Sequence, residues 1–186
     1  MSLRSLAVVL LHAPVLDRRG DTVSSSVTNL DLHDIARSAK TFGLGRFYVV
    51  TPLAEQQRLV LRLLDHWLEG HGAEYNPKRK QALELIRVCA TVDDALDDWR
   101  REQGGEPLPI LTGAAQQGNM SFRDLRSAIG QQPAMLLLGT GWGIAPELYD
   151  RGWPVLCSIK GADEYNHLPV RAAAAIMFDR LLQNRE

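Results

Sequence analysis

The chain has 186 residues, 45% hydrophobic and 23% charged, a composition typical of a globular protein with enough length to bury a substantial core. A formal net charge of −1 and a pI near 6.5 argue against a protein that coats nucleic acid by bulk positive charge, leaving only local basic patches such as Arg18-Arg19 and Lys78-Arg79-Lys80. No apolar run reaches the ~18–20 residues that span a membrane. Cys89 and Cys157 stand alone without CxxC spacing, so neither a disulfide framework nor a zinc site is expected, and the setting implied is a reducing cytoplasm.

The first twenty residues carry one early arginine and a short apolar run. Pro14 and Asp17 interrupt it and no small-residue cleavage site follows, so Leu6 to Leu11 is expected to be a buried strand, not a signal peptide. A polar loop then runs through Asp17 and Gly20 to Ser26. Thr28 predicts an N-cap, with Asp31 in capping-box position and a stop at Gly43. That helix has Leu32, Ile35, Ala36, Ala39 and Phe42 on its apolar face, with His33, Arg37 and Lys40 together on the opposite one. Phe47 to Val50 is a second strand, and Thr51-Pro52 predicts the start of a helix reaching about Gly70.

His71 to Lys80 reads as irregular, with a helix or turn from about Pro77. Strands follow at Ile86 to Cys89, Leu108 to Leu111, Ala134 to Leu138 and Val155 to Ile159. Helices are predicted from Thr91, ending at Gly104-Gly105, over Ser121 to Ile129, and over Val170 to Gln183. Strands alternating with amphipathic segments imply βα units. The fold class expected is α/β, a mostly parallel sheet of five to six strands with helices on both faces, as one domain over residues 1–186.

The densest functional signal lies between Leu136 and Ile176. An apolar strand ends in Gly139, Thr140, Gly141, Trp142 and Gly143; a second ends in Ile159, Lys160 and Gly161; and Tyr165-Asn166-His167-Leu168 precedes an alanine-rich helix. Glycine allows positive φ and close backbone approach, so these turns suit a nucleoside-like ligand. The turn at Gly139 lacks the Lys-Ser/Thr of a P-loop and the third glycine of a dinucleotide fingerprint. His12, His33, His66, His71 and His167 show no metal-ligand spacing, and no metal is expected.

The order GTGWG, SIKG, YNHLPVRAAAAI resembles the last motifs of the SPOUT methyltransferases. Arg37-Ser38-Ala39-Lys40-Thr41-Phe42-Gly43 resembles their arginine-bearing first motif. TNLDLHDIARSAKTFG, FYVVTP, LLLGTGWG and YNHLPVRAA together are similar to a smaller bacterial SPOUT family of SAM-dependent RNA methyltransferases, tRNA (guanine-N1)-methyltransferase C-terminal-like. The resemblance implies S-adenosylmethionine (SAM) as cofactor, tRNA or rRNA as substrate, a homodimer, and a deep trefoil knot in the last third. Periodicity alone would never suggest a knot.

Carried onto this sequence, the resemblance places the cofactor against Thr112, Gly113, Leu138, Gly139, Thr140, Gly141, Trp142, Gly143, Ile159, Lys160, Gly161, Tyr165, Asn166, His167, Leu168 and Val170. Arg37, Asp31, Asn29 and His33 are the catalytic candidates. Arg37 would stabilise developing negative charge on the acceptor, Asp31, Asp34 or His33 would take a proton, and Asn29 would orient substrate. Three of them have a plainer alternative: a solvated helix face for Arg37, a helix cap for Asp31, a turn hydrogen bond for Asn29. The sequence departs from the family where Pro169 replaces a common serine, and the linker aspartate of the guanine-N1 enzymes has no recognised counterpart. Two rival functions are a non-catalytic SAM- or RNA-binding module and a Rossmann-like nucleotide-binding enzyme.

Overall fold

The computed structural model describes residues 3–182. Its elements in chain order are β1 (Leu6–Leu11), β2 (Val15–Leu16), β3 (Thr22–Val23), α1 (Asn29–Phe42), β4 (Arg46–Val50), α2 (Ala54–Leu68), α3 (His71–Tyr75) and α4 (Pro77–Leu83). They continue with β5 (Ile86–Cys89), α5 (Val92–Gln103), β6 (Leu108–Leu111), α6 (Phe122–Ile129), β7 (Ala134–Gly139), α7 (Pro146–Tyr149) and α8 (Val170–Leu182).

Five strands form a parallel sheet in the order β5-β4-β1-β7-β6. The central strand β1 pairs on both sides, Leu10 opposite both Val49 and Leu138. Every one of its six residues is buried because both sheet faces are covered. Leu6, Val8 and Leu10 enter a large core with α1, α2, α4, α6 and α8, whereas Ala7, Val9 and Leu11 enter a smaller one with α5 and α7. In the smaller core Trp99 lies fully buried, edge-on to Tyr48 at 6.5 Å, and the Tyr48 hydroxyl donates to Asp98 at 2.8 Å.

Three expectations are corrected. Val155 to Ile159 forms no strand; Val155 and Leu156 make only isolated bridges, to Leu111 and Met120. The segment lies between the end of β6 and residues 119–120, so each neighbour offers it only one or two ladder positions. Pro52 lies outside its helix, which begins at Ala54 after Leu53; Thr51 instead is buried and its carbonyl accepts from the Gln57 side chain at 2.8 Å. The start of the stretch read as irregular holds a short helix, α3, while α4 begins at Pro77 as expected and packs on α1. The polar loop after β1 also contains the small antiparallel ribbon β2–β3. Gln183, the expected end of the last helix, lies outside the described residues. No helix among the described residues is long and apolar enough to cross a membrane.

Candidate functional site

Three loops meet beyond the carboxyl ends of β6 and β7. In the first, Thr112 is buried and its hydroxyl donates across to the Leu137 carbonyl at 2.8 Å, fixing the end of β6 against β7. The Thr112 carbonyl accepts from the Tyr149 hydroxyl at 3.1 Å, and burial raises the Tyr149 pKa, keeping that phenol a neutral donor. A Cβ at Gly113 would stand 2.6 Å from Gln116 Cγ and 3.1 Å from the Tyr149 hydroxyl, so a side chain there would have to displace Gln116.

The second loop is the Gly139–Gly143 turn. Leu138, just before it, is a buried core residue and not part of an open wall. The turn is stapled to the ribbon: Trp142 N donates to the Leu16 carbonyl and Leu16 N to the Gly143 carbonyl, both at 2.9 Å. Gly141 takes φ +59°, and a side chain there would bring Cβ to 2.8 Å from the Leu16 carbonyl. This tight pairing leaves the Trp142 ring outside, 67% exposed. Thr140 points inward, its hydroxyl donating to the Leu11 carbonyl at 2.8 Å.

The third loop runs from residue 155 to Val170. Its start is stitched by backbone, Leu156 N to the Leu111 carbonyl and Cys157 N to the Met120 carbonyl, each at 2.8 Å. Ile159 packs on the larger core, while Lys160, Gly161, Tyr165, His167 and Leu168 are exposed and Val170 half-buried. Asn166 reaches the first loop, its side-chain amide donating to the Ala114 carbonyl at 3.3 Å. Beneath the loop, the Ser158 hydroxyl is buried and has no hydrogen-bond partner. The structure therefore brings the predicted cofactor residues of all three loops to one end of the sheet.

The residues predicted on α1 do not all join them. Asn29 opens the helix and is exposed. Asp31 is buried; one carboxylate oxygen accepts from the Thr28 hydroxyl at 2.6 Å and the other from Arg171 Nη1 at 3.3 Å. Arg171 Nε also lies 3.4 Å from Asp34, so the start of α8 is tied to the first turns of α1. His33 does not share a solvated face with Arg37 and Lys40. Its ring packs edge-on to Trp67 of α2 at 5.3 Å with Nδ1 buried and unpartnered, on a helix against which α4 also packs. Burial, then the Arg79 guanidinium, lower its pKa, so it is a poor cation at neutral pH.

Arg37 is exposed and lines an open depression of about 320 Å³ with Asp34, Ser38, Thr41 and Phe42. It lies nine residues past the Thr28 cap, about 13 Å along the helix at 1.5 Å per residue. Since α1 runs away from the carboxyl ends of the strands, Arg37 and the three loops of the same chain are separated.

Sequence reasoning missed His12. It directly follows β1 and is buried, its Nδ1 2.9 Å from Ser25 Oγ, and Ser25 Oγ is 2.5 Å from Thr140 Oγ1. Burial lowers the His12 pKa from the ordinary 6.5 to about 4, against an upward pull from Asp31. The one available signal was position: His12 directly follows the apolar run of the central strand. Tyr149 and Arg171 gave no comparable signal. Among the described residues no group of three or more His, Cys, Asp or Glu side chains could hold a metal.

A family model described as SAM-dependent RNA methyltransferase matches residues 5–183. A protein of Oleidesulfovibrio alaskensis named tRNA (guanine-N(1)-)-methyltransferase is 43% identical over 179 residues, which cover 96% of this chain and 42% of that one. The chain thus spans less than half the length of this relative. An Aquifex aeolicus protein, described as uncharacterized, is 36% identical, with 94% of this chain and 86% of that one covered. Among solved structures, the A. aeolicus TrmH/SpoU tRNA modifying enzyme superimposes with TM-score 0.60 at 15% identity, over 97% of this chain and 75% of that chain. The SpoU methyltransferase AviRb from Streptomyces viridochromogenes, in complex with AdoMet, gives 0.58 at 17% identity, over 98% and 58%. At such identities the likeness concerns the fold.

Proposed function

The chain belongs to the family of SAM-dependent RNA methyltransferases, and from that premise we propose that it transfers a methyl group from SAM to RNA, acting as one methyltransferase unit. The observation that carries the reading is the meeting of three glycine-bearing loops at one end of the sheet. They offer what SAM needs: bare backbone at Gly113 and Gly141, apolar walls at Trp142, Tyr165 and Leu168, and the unpartnered Ser158 hydroxyl. The residues that would hold the cofactor are Thr112, Gly113, the Gly139–Gly143 turn, Ile159 to Gly161 and Tyr165 to Val170, excluding Pro169, with Leu138 supporting them from the core. SAM brings an already activated methyl group, so the protein's share is orientation and charge stabilisation.

Arg37 is the group proposed to stabilise negative charge on the acceptor, with Asn29 orienting the substrate. Asp31 and His33 are positioned to support α1 more readily than to accept a proton, since Asp31 is doubly engaged and His33 packs on Trp67. Because Arg37 and the loops are apart within one chain, we propose a homodimer in which the partner's α1 completes each site. A trefoil knot is proposed with it. Residues 155–157 run beneath the segment that follows β6, so close that a Cβ at Gly118 would collide with the Cys157 backbone. A cytoplasmic location and a tRNA or rRNA substrate accompany the reading. The activity in the name of the O. alaskensis relative belongs to a protein more than twice as long, so the methylated atom is not carried over from it. Nothing in the site favours the Rossmann-like rival.

Calorimetry tests the core of the reading. Micromolar binding of SAM or its demethylated product is expected, and millimolar or no affinity for both would overturn it. Mass spectrometry of nucleosides in bulk RNA from a deletion strain, before and after treatment with enzyme and SAM, then identifies the product. A chain that binds SAM yet methylates no RNA would favour the binding-module alternative.

A further inference from the structure

The polar side chains at the end of β1 form a relay whose proton positions follow from geometry. The Leu11 carbonyl can only accept, so the 2.8 Å contact with Thr140 Oγ1 uses that hydroxyl's one proton. The 2.5 Å contact between Ser25 Oγ and Thr140 Oγ1 then requires the Ser25 proton to point at Thr140. The remaining 2.9 Å contact, between His12 Nδ1 and Ser25 Oγ, must be supplied by a proton on His12 Nδ1. Any other arrangement leaves two lone pairs facing each other at hydrogen-bond distance. The neutral imidazole is therefore the Nδ1–H tautomer with a bare Nε2. That Nε2 is buried and without a partner.

An orphaned buried nitrogen is unfavourable, and an apolar side chain would fill the same space without it. The imidazole is accounted for by its other nitrogen. Beyond the last ladder pair, Leu11 with Gly139, the relay links the end of β1, the stretch between β3 and α1, and the Gly139–Gly143 turn through side chains. They meet beyond the carboxyl ends of β1 and β7, at the base of the Gly139–Gly143 turn.

We infer that His12 is a positioning residue of the cofactor site, fixing the Gly139–Gly143 turn in its ligand-ready shape through Ser25 and Thr140. The inference rests on the proposed binding of SAM at that turn. Depression of the His12 pKa to about 4 keeps the relay in one protonation state across neutral pH. Asp31, from the first turn of α1, opposes that depression; Ser25 faces Nδ1 as a neutral hydroxyl, with the Thr140 hydroxyl behind it.

The test compares the full chain with Ser25→Ala, His12→Ala, His12→Asn and the His12→Ala/Ser25→Ala pair. Ser25 lies in a loop, so its variant breaks the relay without touching the core. Calorimetry should show SAM Kd raised about tenfold in Ser25→Ala and His12→Ala, the loss of one buried hydrogen-bonded link. The pair should be no worse than either alone, because both cut the same chain. His12→Asn, whose amide can donate from near the Nδ1 position, should recover most of the affinity. Turnover at saturating SAM should stay within about threefold of wild type, since the relay acts on binding. Nitrogen-15 NMR of the histidines should show His12 protonated at Nδ1 and bare at Nε2. Unchanged SAM affinity in Ser25→Ala, or a bare Nδ1 by NMR, would overturn the inference. Failure of the wild-type chain to bind SAM would instead overturn the cofactor reading, and the NMR measurement would still decide the tautomer.

Discussion

Arg37 and Asp31 lie six positions apart on one helix and meet opposite circumstances. Both carboxylate oxygens of Asp31 are engaged, by Thr28 and by Arg171, whereas Arg37 stands exposed above an open depression. A group free to meet incoming charge is the better candidate for transition-state stabilisation. Arg37→Ala is therefore expected to lower turnover by about two to three orders of magnitude, with SAM affinity by calorimetry nearly unchanged. Arg37→Lys should recover only part, because an ammonium cannot reproduce the guanidinium fork. Full activity in Arg37→Ala would return the residue to a solvated helix face.

His12 makes stability depend on pH. Its folded pKa is about 4 against an ordinary 6.5, so between these values the unfolded chain binds a proton that the folded chain refuses. Stability attributable to His12 is complete above about pH 6.5 and falls by about 1.4 kcal/mol per unit as pH drops, reaching on the order of 3 kcal/mol near pH 4. Urea unfolding across that window should show a slope that flattens in His12→Asn. An identical slope in the variant would contradict the assignment.

Among the elements, the strands were the most legible. Ile86–Cys89 and Leu108–Leu111 lie where the short apolar runs put them, and β7 extends only one residue further, to Gly139. Buried parallel strands read as continuous hydrophobic runs, and each here is bounded by a turn or cap residue. Caps were equally legible, since they are local. Thr28, Thr91 and Ser121 each accept from the backbone N–H three residues on. Thr28→Ala is expected to cost about 1 kcal/mol in urea unfolding, the usual worth of such a cap, while Arg171 still holds Asp31. The failures were non-local. Nothing near Val155 reveals that its neighbours will be the end of β6 and residue 120, each offering a single bridge. Nor does the sequence around His33 reveal that Trp67 of α2 will pack against it.

At the scale of the molecule, α8 buries Ala174, Met177, Phe178 and Leu181 against its own chain. Ala172, Ala173, Ala175 and Ile176 remain only half-buried, a small-residue surface suited to close packing by the second copy we propose. Light scattering at micromolar concentration should give twice the chain mass, and a monomer in the presence of SAM would contradict it. A composite site has a sharper consequence. Gly141→Val forces a branched side chain into a positive-φ position against Leu16, so it should abolish SAM binding. Mixed and reassembled one to one, Gly141→Val and Arg37→Ala chains should regain about a quarter of wild-type activity, because half the dimers are mixed and each then holds one intact site. No recovery would place Arg37 and the cofactor turn in the same chain's site.

The sequence by itself determined the alternation of strands and helices, the sheet faces, the caps and the glycine turns, because propensity, periodicity and capping act over a few residues. Its motifs also carried the resemblance that the family match bears out. Only the tertiary structure decided that Asp31 is held by Arg171, 140 positions away, that His33 packs on Trp67, and that His12 reaches Thr140 through Ser25. Burial and hydrogen-bond satisfaction depend on partners that chain folding, not sequence proximity, brings within 3 Å.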